Sequence, residues 1–151
     1  ICLPSWASNP KLELNLAIFG RFYLLMLVRF SFSNFLSFRD EQEFSMVASR
    51  EVQHRDRVPF IEEHAIGILP LAVIFGANAS GKSNFFAAIQ AAKDLVVSAR
   101  PRPEDTINIQ SFRFARESST LPTKFDFTIL VGKRIFRYQF ALTLSHVVEE
   151  S

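Results

Sequence analysis

From Val28 the apolar Val28, Phe30 and Phe32 fall on one face and Arg29, Ser31 and Ser33 on the other, the period of two that marks a half-buried strand. Asn34 to Asp40 reads as a turn, and Glu41 to Val47 places Phe44 and Met46 on a common face, so the segment opens with an antiparallel pair. Residues 48 to 67 are polar, contain one Pro and hold no sustained period; they read as a surface loop. Leu71 to Phe75 is an unbroken apolar run between Pro70 and Gly76, which fits a strand buried on both faces, as in parallel sheets covered by helices. After Ser83 the rhythm changes. Phe85, Ile89, Ala92, Val96 and Ala99 recur at helical spacing, and the helix is expected to stop near Arg100, ahead of Pro101. Residues 101 to 123 read as a loop with one short strand at Ile109 to Phe114. From Lys124 the alternation returns: Phe125, Phe127 and Ile129, a turn at Gly132-Lys133, then Phe136, Tyr138, Phe140 and Leu142, which together predict a hairpin.

Composition narrows the class. At 151 residues and 17.2 kDa the chain can bury one core, so it is one domain or a piece of one. An apolar fraction of 48% against 21% charged residues belongs to a globular chain rather than a disordered one. Seventeen Phe residues predict an aromatic, strand-rich core. The net charge of +2 and pI near 8.9 do not by themselves argue for nucleic acid. Cys2 is the single cysteine, which excludes an internal disulfide and suits the reducing cytoplasm. His54, His64 and His146 lack the close spacing of a zinc site.

The first 25 residues differ in character from the rest of the chain. They read as a non-native upstream extension, with Met26 as the expected start and an added helix packed on the domain as the alternative. The apolar run Leu16 to Val28 is interrupted by Gly20 and Arg21 and falls short of the roughly 18 residues a spanning helix needs, so no membrane contact is expected.

The candidate chemistry lies at Gly76-Ala77-Asn78-Ala79-Ser80-Gly81-Lys82-Ser83, which fits the phosphate-binding pattern G-x-x-x-x-G-K-[ST] between a predicted strand and a predicted helix. Gly76 and Gly81 permit backbone angles and close approaches that a Cβ would block, so that successive N–H groups can face phosphate oxygens. The helix N-terminus adds its positive dipole end. In such a loop Lys82 would meet the β and γ phosphates and the Ser83 hydroxyl would join the Mg²⁺ shell. A Gly-rich turn carrying a solvated lysine is the competing, bland reading. The guanine-reading N-K-x-D pattern does not occur, which favours ATP.

Asn78 within the loop and Asn84 just after it, in "GANASGKSN", resemble the phosphate loop of the ATP-binding-cassette-like ATPases of DNA maintenance, the SMC, RecF and OLD group. The order "MLVRFSFSNFLSF", "ILPLAVIFGANASGKSN" and "FDFTILVGKRIFRYQFAL" is similar to the N-terminal part of AAA-type ATP-binding proteins linked to abortive phage infection. The resemblance covers residues 26 to 151. It implies an α/β P-loop NTPase fold, with an antiparallel β lobe beside a partial, truncated parallel core sheet. It also implies that residues 76 to 84 bind ATP and Mg²⁺, that the full-length protein is a homodimer, and that DNA is a possible partner. Leu36 stands where some members of the group carry a basic residue beside the nucleotide, and Arg39 is close enough in sequence to substitute. Members hydrolyse ATP with an apolar strand ending in Asp-Glu and with a Leu-Ser-x-Gly segment. Neither occurs here, and Val147-Val148-Glu149-Glu150 only imitates the acidic pair. Gln110 has the look of the group's lobe-linking glutamine, but a single Gln in a Pro-rich loop reads as solvated and is not assigned that role.

The leading expectation is therefore ATP binding by the N-terminal part, residues 26 to 151, of an ATPase of DNA maintenance or phage defence. Hydrolysis is expected to require segments beyond this sequence. One alternative is a small P-loop kinase with Arg100, Arg102, Arg113 and Arg116 as lid residues. Another is a non-enzymatic interaction module. Arg50, Arg55, Arg57 and the Lys133-Arg134-Arg137 group could meet DNA phosphates, but exposed, solvated charge is the favoured reading of them.

Overall fold

A computed structural model describes residues 25–49, 55–98, 107, 109–143 and 146–151. The upstream residues 1–24, and with them Cys2 and most of the expected extension, lie outside the described residues, as do Arg50, His54, Ala99, Arg100 and Arg102.

Strand β1, Leu25–Ser33, pairs with β2, Gln42–Ser45, as the alternation predicts. The hairpin of β5, Thr123–Val131, and β6, Arg134–Leu142, turns at Gly132, whose φ of 63° suits a two-residue connection. With β7, Val147–Glu150, these form one antiparallel sheet in the order β2-β1-β5-β6-β7. Helix α1, Lys82–Ser98, lies on one face. Its Ala88 and Ala92 are fully buried, and side chains this small let the helix sit close to the sheet's rings. Phe85 meets Phe30, Phe32 and Phe44 at centroid distances of 6.2, 6.0 and 5.2 Å, while Phe30 and Phe127, paired across β1 and β5, lie 4.6 Å apart. The Phe-rich composition thus becomes a single aromatic layer between sheet and helix.

Four expectations change. First, Val28 does not share a face with Phe30 and Phe32. The register shifts between Leu27 and Arg29, and a bulge of this kind breaks the two-residue alternation. Val28 therefore packs with Ile68 and Leu130 in a second cluster, which also takes Met46, while Phe44 stays with the aromatic layer. Second, the segment read as a surface loop is partly ordered. Strands β3, Phe60–Ile61, and β4, Ile66–Gly67, form a two-stranded ribbon that brings Ile61, Ile66 and Ile68 to that second cluster. Third, Ile109 to Phe114 is no strand. It is an irregular loop fastened to the β1–β2 turn by side-chain and backbone bonds.

The fourth change concerns the fold class. Leu71 to Phe75 is extended without a ladder partner, and Leu71, Val73 and Phe75 are 72, 63 and 87% exposed. A strand buried on both faces needs neighbours at both edges and cover on both sides. Among the described residues all seven strands pair antiparallel, and none lies beside this segment. The described architecture is α/β, with a mainly antiparallel sheet and one α-helix.

The sheet's other face carries the second cluster at one end and is polar at the other. Ser31, Glu41, Lys124, Asp126, Arg137 and Glu149 border an open depression of about 400 Å³ there. Asp126 accepts from the Arg137 guanidinium at 2.9 Å, and Glu41 accepts from the Ser31 hydroxyl at 3.0 Å.

Candidate phosphate-binding loop

The loop is built where the exposed apolar segment ends. Its residues 76 to 80 are exposed, Gly81 and Lys82 are half-buried, and α1 begins at Lys82. Ala79 and Gly81 have φ values of 62° and 92°, and the Ser80 N–H donates to the Ala77 carbonyl at 3.3 Å. A left-handed residue either side of Ser80 turns the chain sharply. It brings the loop onto the helix N-terminus, whose first N–H groups have no intrahelical acceptor. The Phe85 N–H is the first to find one, at the Gly81 carbonyl, 2.9 Å away.

Gly81 is favoured by contact and by its left-handed backbone, and Gly76 by contact alone. A Cβ on Gly76 would stand 2.6 Å from Ser80 Oγ, and one on Gly81 would stand 2.9 Å from Phe38 Cζ. The Lys82 ammonium folds back on the loop, donating to the Gly76 and Ala77 carbonyls at 2.7 Å each and to Ser80 Oγ at 3.3 Å. The loop therefore curls around one positive charge, with Ser83 exposed on the first helical turn. Asn84 points away from that charge and donates to Ser37 Oγ at 2.8 Å, while Asn78 and Ala79 are exposed at the loop's tip.

The fit of a nucleotide's phosphates and its Mg²⁺ can be judged from these residues. An ammonium within reach of both ends of the loop, free helix N–H groups beside it and a hydroxyl one residue on supply a cation, a set of donors and a hard oxygen ligand. That donor set suits a phosphate–Mg²⁺ pair.

Residues outside the motif complete the setting. The turn after β1 carries Ser37 and Phe38, neither of which the sequence pattern singled out, and both touch the loop or its helix. Leu36 is half-buried against the aromatic layer, with its N–H donating to the Gln110 carbonyl at 3.0 Å and its carbonyl accepting from the Arg113 N–H at 3.1 Å. Gln110 is thus brought beside the turn through its backbone, and its side-chain oxygen accepts from the Arg113 guanidinium. Arg39 is exposed at the end of the same turn.

Other candidates are not gathered here. Glu149 and Glu150 lie on β7, the edge strand farthest from β2, and successive residues of a strand face opposite sides. Glu149 borders the polar depression, while Glu150 accepts a 2.6 Å bond from the Tyr138 hydroxyl. Two carboxylates so arranged do not form one acidic pair. Of the basic group at the β5–β6 turn, Lys133 pairs with Glu63 and Arg137 with Asp126, so two of its three charges are already engaged. Of the four arginines considered for a kinase lid, only Arg113 has a described side chain. Among the described residues no three His, Cys, Asp or Glu side chains gather at one point, and no helix is long and apolar enough to cross a membrane.

Residues 71–151, more than half of the chain and including the whole loop, match the AAA domain family described as AbiEii-toxin-like, of the type IV TA system class. The chain belongs to this family. No curated protein and no solved structure matches it. As an AAA-type, ATPase-like domain it is of the P-loop, nucleotide-binding kind. The family match begins at Leu71, so the exposed apolar segment that delivers the loop is part of the AAA domain.

Proposed function

We propose that this AAA domain binds ATP with Mg²⁺ through residues 76 to 84. The observation that carries the reading is the curl of the loop around the Lys82 ammonium, directly at the N-terminus of α1. In this assignment backbone N–H groups of residues 77 to 83 receive the phosphates. Lys82 exchanges its bonds to the loop carbonyls for β and γ phosphate oxygens, and Ser83 ligates Mg²⁺. Asn78 stands at the loop's tip, on the solvent side, where it would border the terminal phosphate. When bound, the metal offsets phosphate charge, and the chain's own residues bind and orient.

The proposal is one of binding, and Glu149 and Glu150, which do not combine into one acidic pair, are given no part in it. The resemblance to ATPases of DNA maintenance and phage defence extends the proposal to work in those settings, in the cytoplasm, as a homodimer. The apolar stretch Leu71 to Phe75 fits this reading as the extended segment that delivers the loop.

Calorimetric titration with Mg-ATP, together with thermal unfolding, tests it. A ligand that binds only the folded chain stabilises it by about 2.7 kcal/mol at a hundredfold excess over Kd. The melting temperature should rise with Mg-ATP in the parent chain and stay unchanged in Lys82→Ala. A parent chain that neither releases heat nor melts higher would end the proposal.

A further inference from the structure

The turn between β1 and β2 holds an unusual shape. Asn34 and Leu36 both have left-handed backbones, at φ 53° and 49°. Asn tolerates that region, but a leucine there is strained. Strain of this kind persists only where its surroundings over-determine it. They do so here. Leu36 is bonded on both sides to the loop at Gln110 and Arg113, and the Phe35 and Phe38 backbones bond each other at 2.8 and 2.9 Å. What the strained shape achieves is the placement of two consecutive residues against the phosphate-binding loop. Ser37 Oγ receives Asn84 Nδ2 at 2.8 Å, and the Phe38 ring comes within 2.9 Å of where a Cβ of Gly81 would be. Phe38 is itself fixed edge-on against Phe32, 5.1 Å away in the aromatic layer.

We infer that Ser37 and Phe38 are positioning residues for the phosphate-binding loop. Ser37 anchors the first turn of α1 through Asn84, and the Phe38 ring packs against Gly81 on the side where a side chain would stand. Neither residue need touch nucleotide. Their effect is to keep the backbone N–H groups of residues 81 to 83 aimed in one direction before the ligand arrives, which lowers the ordering cost of binding. The turn also joins the loop to residues 110–113. A ligand that orders one should therefore slow the opening of the other, in a reciprocal coupling.

This inference rests on the ATP reading for its functional consequence, but its structural core is independently measurable. The test uses the full chain with Ser37→Ala, Ser37→Thr, Asn84→Ala, the Ser37→Ala/Asn84→Ala double variant and Phe38→Leu. Each is followed by amide hydrogen exchange and by Mg-ATP titration. Ser37→Ala is expected to weaken Mg-ATP about fivefold, the worth of one neutral hydrogen bond. It should leave the ligand-free melting temperature near the parent's, because Ser37 is exposed. Exchange should quicken at the Phe85 N–H, which the Gly81 carbonyl holds at 2.9 Å, Ser37→Thr should restore both readouts, and the double variant should be no worse than either single one. Phe38→Leu should quicken exchange at the same N–H with β1 unaffected. Additive losses in the double variant, or unchanged exchange at the Phe85 N–H in Ser37→Ala, would overturn the inference. If the parent chain binds no Mg-ATP, the ATP reading falls alone, and the exchange data still decide whether the turn positions the loop.

Discussion

Asn34 carries more of the described structure than any motif residue. Its side-chain N–H₂ donates to the carbonyls of Ser118 at 2.9 Å and Leu121 at 2.8 Å, with a longer approach of 3.4 Å to Pro122. Its side-chain oxygen accepts from the Phe112 N–H at 3.1 Å. Replacing it with alanine removes three good bonds at a residue only 6% exposed. At about 1 kcal/mol each, and more where a buried partner is left unsatisfied, that is about 3 kcal/mol. Alanine at a φ of 53° adds about 1 kcal/mol of backbone strain, for a total near 4 kcal/mol. Small domains are stable by about 5–15 kcal/mol, so Asn34→Ala should consume a large part of the whole. The two contributions can be separated. Asn34→Gly deletes the same bonds but accepts the left-handed backbone, so it should be about 1 kcal/mol less damaging than Asn34→Ala, against the usual order of these residues. Urea unfolding followed by circular dichroism reads both values, provided the slope of stability on urea is the same for all three chains. An alanine cost below about 1 kcal/mol would refute the hydrogen-bond assignment. A glycine variant less stable than the alanine one would refute the backbone assignment.

Two further outcomes concern the phosphate loop and the far edge of the sheet. Gly81→Ala combines a φ of 92° with a Cβ set 2.9 Å from the Phe38 ring and should cost about 1–3 kcal/mol; adding Phe38→Ala should return the part owed to ring contact, and strictly additive losses in urea unfolding would show that the ring yields freely. Tyr138 has its hydroxyl pKa raised by burial, by its bond to Glu150 and by that carboxylate's charge. A raised folded-state value means that its contribution is whole below about pH 10, the ordinary tyrosine value, and is lost as pH climbs through the folded one. The urea midpoint of the parent chain should therefore fall more steeply above pH 10 than that of Tyr138→Phe, and parallel slopes would refute the assignment.

Much of the sheet was legible in the sequence because Phe marks alternate positions of β1, β5 and β6, and pairing brings Phe30 against Phe127 and Phe125 against Phe140. The helix was legible for a similar reason, with Phe85, Ala92 and Val96 on its inward side. Val28 was misplaced because a bulge has no signature in apolar spacing; the residues on either side still look alternating. The ribbon at Phe60–Gly67 was missed because each strand is only two residues long, too short to express a period. Leu71 to Phe75 shows the opposite failure. Its pattern states what environment the segment suits, and environment is supplied by other strands, which the segment's own residues cannot encode.

The candidate site divides along the same line. The glycines, Lys82 and Ser83 could be placed from the sequence because a phosphate loop is a local structure, set by eight consecutive residues and the helix they enter. Ser37 and Phe38 could not, since 47 residues separate Ser37 from the Asn84 amide it receives. No periodicity links positions so far apart. A sign was nevertheless present, in that "NFLSF" interrupts a clean strand with an Asn followed by two apolar residues, a poor composition for an exposed turn. Turns rich in apolar residues must face something, and this one faces both the aromatic layer, through Phe35 and Phe38, and the loop that α1 presents. A phosphate loop fixed only at its strand and helix ends would be free to flex between them; the strained turn supplies a third fixed point on Gly81 and Asn84. The residues that make the loop recognisable are therefore distinct from the residues that keep it in shape.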